Sequence, residues 1–291
     1  MNKMNIKNPF MVVLTIYLIY LALHITEYFV LRTDQTIIGE AVIHKMLGIL
    51  ILFIASKILG FSAKEIGFKT GKDFSYILKG LAFGAAVFVI AYTVEIIVAI
   101  SQGDFNSLQM YVSAYAIDKN IGNRTEPIFF VICIIGNIIN VIMEEGNFRG
   151  LFIKTLETKH SFTIAALISS GLFGFWHVIG PIRNYVDGEQ SFKGMIFSAI
   201  FMLVASALVG LKFTMLTEMS GNLYFSMGDH FFNNTIVNLL HVVTDTGADD
   251  FMTVRVTIAQ TVSFAIVLIC YLKRRKNHAA DHERKPEYAG T

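Results

Sequence analysis

Charge is what this sequence has least of. Only 16% of its 291 residues are charged, against about 25% in an ordinary soluble domain. With 54% hydrophobic residues and repeated apolar runs of about 20 residues, that shortage excludes a soluble domain and places the chain in a membrane. Cysteine is scarce as well. Cys133 and Cys270 both lie in apolar spans, so neither a disulfide framework nor a Cys/His cluster of zinc-finger spacing is expected. There is no internal repeat, no low-complexity tract and no sign of a second, soluble domain. No small-x-small cleavage site follows the first apolar run, which is too long for a signal peptide, so that span is expected to stay as an anchor. A net charge of +2 gives no reason to expect a nucleic-acid partner.

What is present reads as an all-α, polytopic membrane protein with about eight spans, near residues 9–31, 36–59, 76–100, 127–148, 163–181, 193–211, 213–241 and 252–272. Helix is expected because a segment alone in lipid must satisfy its own backbone hydrogen bonds. With the N-terminus inside, 17 lysines and arginines fall on the cytoplasmic side and 6 on the other. The cytoplasmic set includes Arg149 and Lys212. The positive-inside rule thus predicts a multi-pass protein of the cell membrane with both termini cytoplasmic. The outer loop Ser101 to Glu126 is read with a short helix around Leu108 to Ala116, and Pro127 suits a first helical turn. One membrane domain is expected, in three stretches: 1–126 with the N-terminal helices and an interfacial loop, 127–241 as core, and 242–291 with the last helix and tail.

Three motifs carry chemistry. Glu144 and Glu145 end a long apolar run, and each charge at mid-bilayer costs about 2.5–3.5 kcal/mol. Glu145 and Arg149 are four apart and share a helix face, so they can pair. Glu144 points about 100° away and has no local partner. The second motif runs Phe173 to His177, with the only tryptophan, Trp176, read as an interfacial anchor. The third holds His230 and Asn234, again four apart, an imidazole and a carboxamide offering two donors toward one point, as an oxyanion hole requires. Taken singly, each motif also has a structural reading as polar glue between helices. Together they supply a base, a proton partner and oxyanion donors, with no obvious nucleophilic Ser or Cys. The natural nucleophile is then water, activated by Glu144 or on a metal held by the histidines.

Glu144-Glu145-x-x-x-Arg149, Phe173-x-x-x-His177 and His230-x-x-x-Asn234 resemble, in order and helix placement, the motifs of the CAAX-protease and bacteriocin-processing (CPBP, or Abi) family of intramembrane proteases. The resemblance covers roughly residues 127–241. It implies a CAAX-protease-like helical bundle in which Glu144 activates water, His177 assists, His230 and Asn234 stabilise the oxyanion, and Glu145 and Arg149 shape the site. The implied partners are the lipid bilayer and a membrane-associated peptide or protein substrate: a leader peptide, a pheromone or a CAAX-type protein. The family is often labelled metalloprotease, while a metal-free mechanism has been proposed for its CAAX-processing members. Zinc held by His177, His230 and Glu144 is therefore a candidate cofactor, although the HExxH spacing is absent. A non-catalytic protein of the same fold that binds a partner such as a sensor kinase is the alternative, and a transporter or proton pathway a third.

Gly146 and Asn147 depart from the family, which usually has apolar residues there. Gly146 can loosen the helix, and Asn147 can bond Glu145 or widen the polar cavity. Span edges pose a second problem. Measured from Pro127 and Thr163, Glu144 and His177 fall at opposite membrane faces. The expected remedy is a cytoplasmic amphipathic connector from Gly150 to Ser161. Away from the motifs, Glu40 and His44 are four apart, and with His24, Glu27, Lys45 and Glu95 are read as interhelical pairs near the membrane edges.

Overall fold

The computed structural model describes residues 5–36, 41–113 and 123–283. Helix dominates: α1 (Pro9–Thr26), α2 (Ile43–Leu59), α3 (Tyr76–Gln102), α4 (Pro127–Glu144), α5 (Ile153–Leu156), α6 (Phe162–Trp176), α7 (Ile179–Val186), α8 (Phe192–Ser220), α9 (Tyr224–Leu239) and α10 (Met252–Glu283). Among the described residues, six helical stretches are long and apolar enough to cross a membrane: Pro9–Gln35, Gly71–Gln102, Pro127–Leu156, Phe162–Val186, Phe192–Ser220 and Met252–Asn277. The remaining two expected spans are the shorter α2, of 17 residues, and α9, of 16. The chain is a multi-pass helical membrane protein.

Local sequence explains most helix ends. Asn8 caps α1 by accepting from Met11 N, and Pro9 occupies its first turn. Pro127 opens α4 as the sequence suggests. Ser161 and Ser191 cap α6 and α8. The sixth and seventh spans divide later than expected. The chain stays helical through Ser220, breaks at Gly221 (φ 70°), and restarts where Asn222 Oδ1 accepts from Tyr224 N. Lys212 is therefore inside α8 and buried, as is Arg149 beyond α4. Neither is a cytoplasmic loop charge.

The loop between α3 and α4 also differs. Where a short helix was expected, Phe105–Met110 forms β1, antiparallel to β2 (Leu240–Thr244), with Leu108 opposite Val242. Residues 114–116 lie outside the described residues. Pairing with the β-branched run Val242-Val243 outcompetes any helical tendency of this segment. Beside the sheet, Arg255 is fully buried and holds both Glu95 (2.7 Å) and Asp249 (2.6 Å).

Close helix approach is set by glycine. A methyl group on Gly228 of α9 would lie 2.4 Å from Ile77 O of α3, and one on Gly80 of α3 would lie 2.3 Å from Phe225 O of α9. Only hydrogen fits at either point, so the two backbones touch. Gly174 of α6 meets Leu203 O of α8 in the same way, at 2.4 Å. The main apolar core joins α1, α2, α6 and the segment after α4, through Tyr17, Leu52, Phe148, Phe152 and Phe173. By contrast Phe197, Ile200, Phe201 and Val204 of α8 face outward, as suits a helix bordered by lipid.

Candidate active site

Helix α4 does not stop at residue 148. It passes at Glu145 into a π-helical stretch, Glu145–Phe152, and continues through α5 to Leu156. All eight residues of that stretch are buried. The polypeptide turns only at residues 157–161, so Gly150 to Leu156 belongs to the bundle and is not a cytoplasmic connector. Lys154 alone in that piece is exposed, pairing with Glu157 at 2.9 Å. The extension removes the expected mismatch in depth. Counting back from Leu156, Glu144 lies about 18 Å up, while His177 lies about 22 Å up from Phe162, at 1.5 Å per residue.

The widened π turn occurs where Gly146 permits it. A Cβ there would sit 2.5 Å from Leu52 Cδ2 and 3.2 Å from Phe68, so α2 packs directly on the backbone beside the two carboxylates. Asn147 does not reach Glu145. Its Oδ1 accepts from the Tyr20 hydroxyl of α1, and its Nδ2 donates to Met143 O at 2.8 Å.

Glu144 and Glu145 are both buried. Glu145 Oε2 faces Arg149 Nε at 3.5 Å, the pair that the spacing predicts. Arg149 is itself buried, with its guanidinium 3.9 Å from the Phe173 ring centre and 5.3 Å from that of Phe213. None of its three nitrogens makes a hydrogen bond among the described residues. The aromatic faces and the Glu145 carboxylate are the nearest groups that hold its charge.

His230 crosses from α9 to both glutamates. Its Nδ1 lies 2.9 Å from Glu145 Oε1 and its Nε2 lies 3.5 Å from Glu144 Oε2. Phe213 stacks on its ring at 4.7 Å, and Phe173 meets it edge-on. The sequence suggests that Glu144 has no local partner and that His230 and Asn234 face the same way; the structure adds that His230 stands between the two carboxylates. His177 caps the end of α6. Its Nδ1 is 2.8 Å from Phe173 O, and because a carbonyl only accepts, that nitrogen carries a proton; in the neutral imidazole Nε2 then keeps its lone pair. Glu144, His230 and Arg149 are all within electrostatic range of it. Asn234 lies one turn beyond His230 on α9, half-buried, with Oδ1 accepting from Asn233 Nδ2 at 3.0 Å.

Among the described residues no three His, Cys, Asp or Glu side chains are grouped to hold a metal ion. Of the proposed zinc ligands, His230 has Nδ1 engaged by Glu145, while its Nε2 stands 3.5 Å from Glu144. Trp176 is no interfacial anchor. It is buried against His24 at 4.1 Å, and His24 in turn stacks on His44 at 4.5 Å. His44 pairs with Glu27 at 2.6 Å, a partner 17 residues away that helical spacing does not flag; Glu40 lies outside the described residues. Phe213 is the site residue that the motifs miss altogether. One signal does exist: it is an aromatic next to a membrane-embedded lysine.

Residues 126–236 match the family model described as type II CAAX prenyl endopeptidase Rce1-like. That segment is similar to the Rce1-like family. The match agrees with the CPBP resemblance, and it spans Glu144, Glu145, Arg149, His177, His230 and Asn234. The Rce1-like family is a protease family, so the matched segment, somewhat over a third of the chain, is similar to a membrane protease that acts on a membrane-associated substrate. A search of curated proteins finds no match.

Proposed function

We propose that this chain is an intramembrane endopeptidase that hydrolyses a peptide bond of a membrane-associated substrate with water activated by Glu144. The observation that carries this reading is the position of His230, held by Glu145 at 2.9 Å on one nitrogen and facing Glu144 at 3.5 Å with the other. The ring stands between the two carboxylates, and Glu144, which unlike Glu145 makes no ion pair with Arg149 among the described residues, is the one left to act as a base.

In the proposed reaction, Glu144 takes a proton from water while the His177 Nε2 lone pair orients it. The water oxygen bonds to the carbonyl carbon, and the carbonyl electron pair moves to oxygen. His230 Nε2–H and Asn234 Nδ2–H face that oxyanion. The C–N bond then breaks as Glu144 returns the proton to the leaving nitrogen, giving a free carboxylic acid and an amine. Glu145 fixes the His230 ring, and Arg149 keeps Glu145 charged without competing for His230. The family description favours a prenylated protein or peptide of CAAX type as substrate; leader peptides and pheromones share the same chemistry at the scissile bond.

The test is cleavage of a farnesylated CAAX peptide by the purified protein in liposomes. Glu144→Gln should lose at least about 10²–10⁴ in rate with an unchanged yield of folded protein. Normal cleavage by Glu144→Gln ends this reading.

A further inference from the structure

The Rce1-like segment ends at residue 236, yet Asn234 is hydrogen-bonded through Asn233 to a side chain beyond it, Gln260 on α10. Lys212 is buried in α8 and pairs with Asp229 at 2.8 Å. Its ammonium also donates to Gln260 Oε1 and to Ser263 Oγ, each at 3.2 Å. Gln260 Nε2 donates to Asn233 Oδ1 at 2.6 Å, and Asn233 Nδ2 donates to Asn234 Oδ1 at 3.0 Å. Lysine, glutamine and two asparagines, from three helices, thus form one directed chain.

Its direction follows from its first member. An ammonium has three donors and no acceptor, so Gln260 must turn its oxygen to Lys212 and its NH₂ away. Asn233 must then offer oxygen to Gln260 and NH₂ to Asn234. Asn234 receives on Oδ1, and its Nδ2 has no partner among the described residues. Without that anchor a carboxamide can turn over, since its oxygen and nitrogen ends have nearly the same shape. Turned over, Asn234 would present a carbonyl dipole to developing negative charge and oppose the reaction instead of assisting it.

We infer that Gln260 is a positioning residue, carrying the polarity of Lys212 through Asn233 so that Asn234 offers N–H to the oxyanion. This rests on the hydrolytic reading above. Gln260→Glu keeps the shape and reverses the chain. The carboxylate accepts only, so Asn233 turns its NH₂ toward it and its oxygen toward Asn234, drawing Nδ2 away from the substrate. Removing one oxyanion donor costs about 10²–10³ in kcat, and KM should stay within about twofold of wild type. When the introduced carboxyl group is protonated, its hydroxyl again donates to Asn233, so the variant should regain activity relative to wild type as the pH falls. Gln260→Met cuts the chain without reversing it, and should cost about tenfold or less with no such recovery.

The experiment measures kcat and KM on the farnesylated CAAX peptide across pH for wild type, Gln260→Glu, Gln260→Met and Glu144→Gln in liposomes. Asn233→Asp, which also cannot donate to Asn234, replaces Gln260→Glu if that variant does not fold, and a large loss of kcat in it then supports the relay. A Gln260→Glu protein within threefold of wild type at every pH overturns the inference. Equal losses in Gln260→Glu and Gln260→Met without pH recovery do the same, since they indicate packing alone. An inactive Glu144→Gln beside an unaffected Gln260→Glu removes the relay and leaves the hydrolytic reading standing. If wild type leaves the peptide intact, the variants are compared on peptides whose abundance differs between cells carrying wild type and Glu144→Gln. If none differ, both readings fall together.

Discussion

Removing Arg149 should cost more than any other single change at the site, and removing Glu145 with it should restore most of the loss. Arg149→Leu leaves two buried carboxylates facing His230 alone. At 3.5 Å and an effective dielectric constant of about 20, the Arg149–Glu145 attraction is roughly 5 kcal/mol. Breaking a buried pair by deleting one partner typically costs about 3–5 kcal/mol, because the other charge is left uncompensated. Glu145→Gln alone strands the guanidinium, which has no other carboxylate in salt-bridge contact and no hydrogen bond among the described residues; it should cost about 2–4 kcal/mol on the same argument. The double variant Glu145→Gln/Arg149→Leu removes both charges together. Replacing a whole buried pair is often neutral, so it should lie within about 1–2 kcal/mol of wild type, with a coupling energy of several kcal/mol. Equilibrium unfolding in mixed detergent micelles, titrated with SDS and followed by circular dichroism, measures all four proteins. Additive losses in the double variant would refute the argument, as would single losses under about 1 kcal/mol, because the pair would then not be what makes buried charge tolerable here. Activity is expected to disappear in all three variants, since Glu145 also holds His230.

Two further outcomes follow from contacts outside the charged group. Asn147→Leu should destabilise the protein by about 1–3 kcal/mol, by leaving the buried Tyr20 hydroxyl unpaired, and Tyr20→Phe/Asn147→Leu should recover part of that in the same unfolding assay; no recovery would mean that the contact contributes nothing. Just past the end of α7, Asp187 takes a bidentate hydrogen bond from Arg32, at 2.7 Å to each oxygen, which holds its carboxyl below the usual aspartate range. A depressed folded-state pKa gives stability that is present above the unfolded value, about 3.9, and lost as pH falls through the folded value. Asp187→Asn should therefore cost up to about 1 kcal/mol near neutral pH and converge with wild type in acid, read from melting temperatures at pH 7 and pH 3.

How much of this was legible depends on whether partners share a helix. Glu145 and Arg149 lie on one helix at a spacing of four, so their pairing can be read directly. So can the Pro127 start and the order of the three motifs. Contacts between helices cannot, because they depend on how each helix is rotated and how deep it sits. His230 bridging both glutamates, Asn147 reaching Tyr20, and Lys212 meeting Asp229 and Gln260 are all of this kind. The depth error had a local origin. Charges at Glu144, Glu145 and Arg149 make the hydropathy fall, and a falling hydropathy looks like a span ending. Here the charges compensate one another inside the protein, and the helix simply continues. Trp176 misled for a similar reason: an aromatic with a polar edge suits an interface, but it equally suits a buried imidazole such as His24.

The carbonyl clashes that a methyl group would create also explain how this chemistry stays in register. The site needs side chains from α4, α6 and α9 within a few ångströms of one another, yet between helices in lipid there is little hydrophobic force to press them together. At Gly228 the α9 backbone rests on Ile77 O, one residue before the Asp229 that Lys212 holds and two before His230. At Gly174 the α6 backbone rests on Leu203 O, one residue after Phe173 and three before His177. His177 and His230 thus each stand within one turn of a point where two backbones touch and no sliding is possible without a steric clash. Gly210 completes the arrangement. A Cβ there would be 3.1 Å from Phe173 and 3.3 Å from Arg149 Nη2, in the space where the guanidinium lies between its two aromatic rings. Rigid backbone contacts set the depth of the histidines, and the charged pair sets the direction of the carboxylates. Polar groups that would be costly alone in lipid are thereby held at the separations that the proposed proton transfer requires.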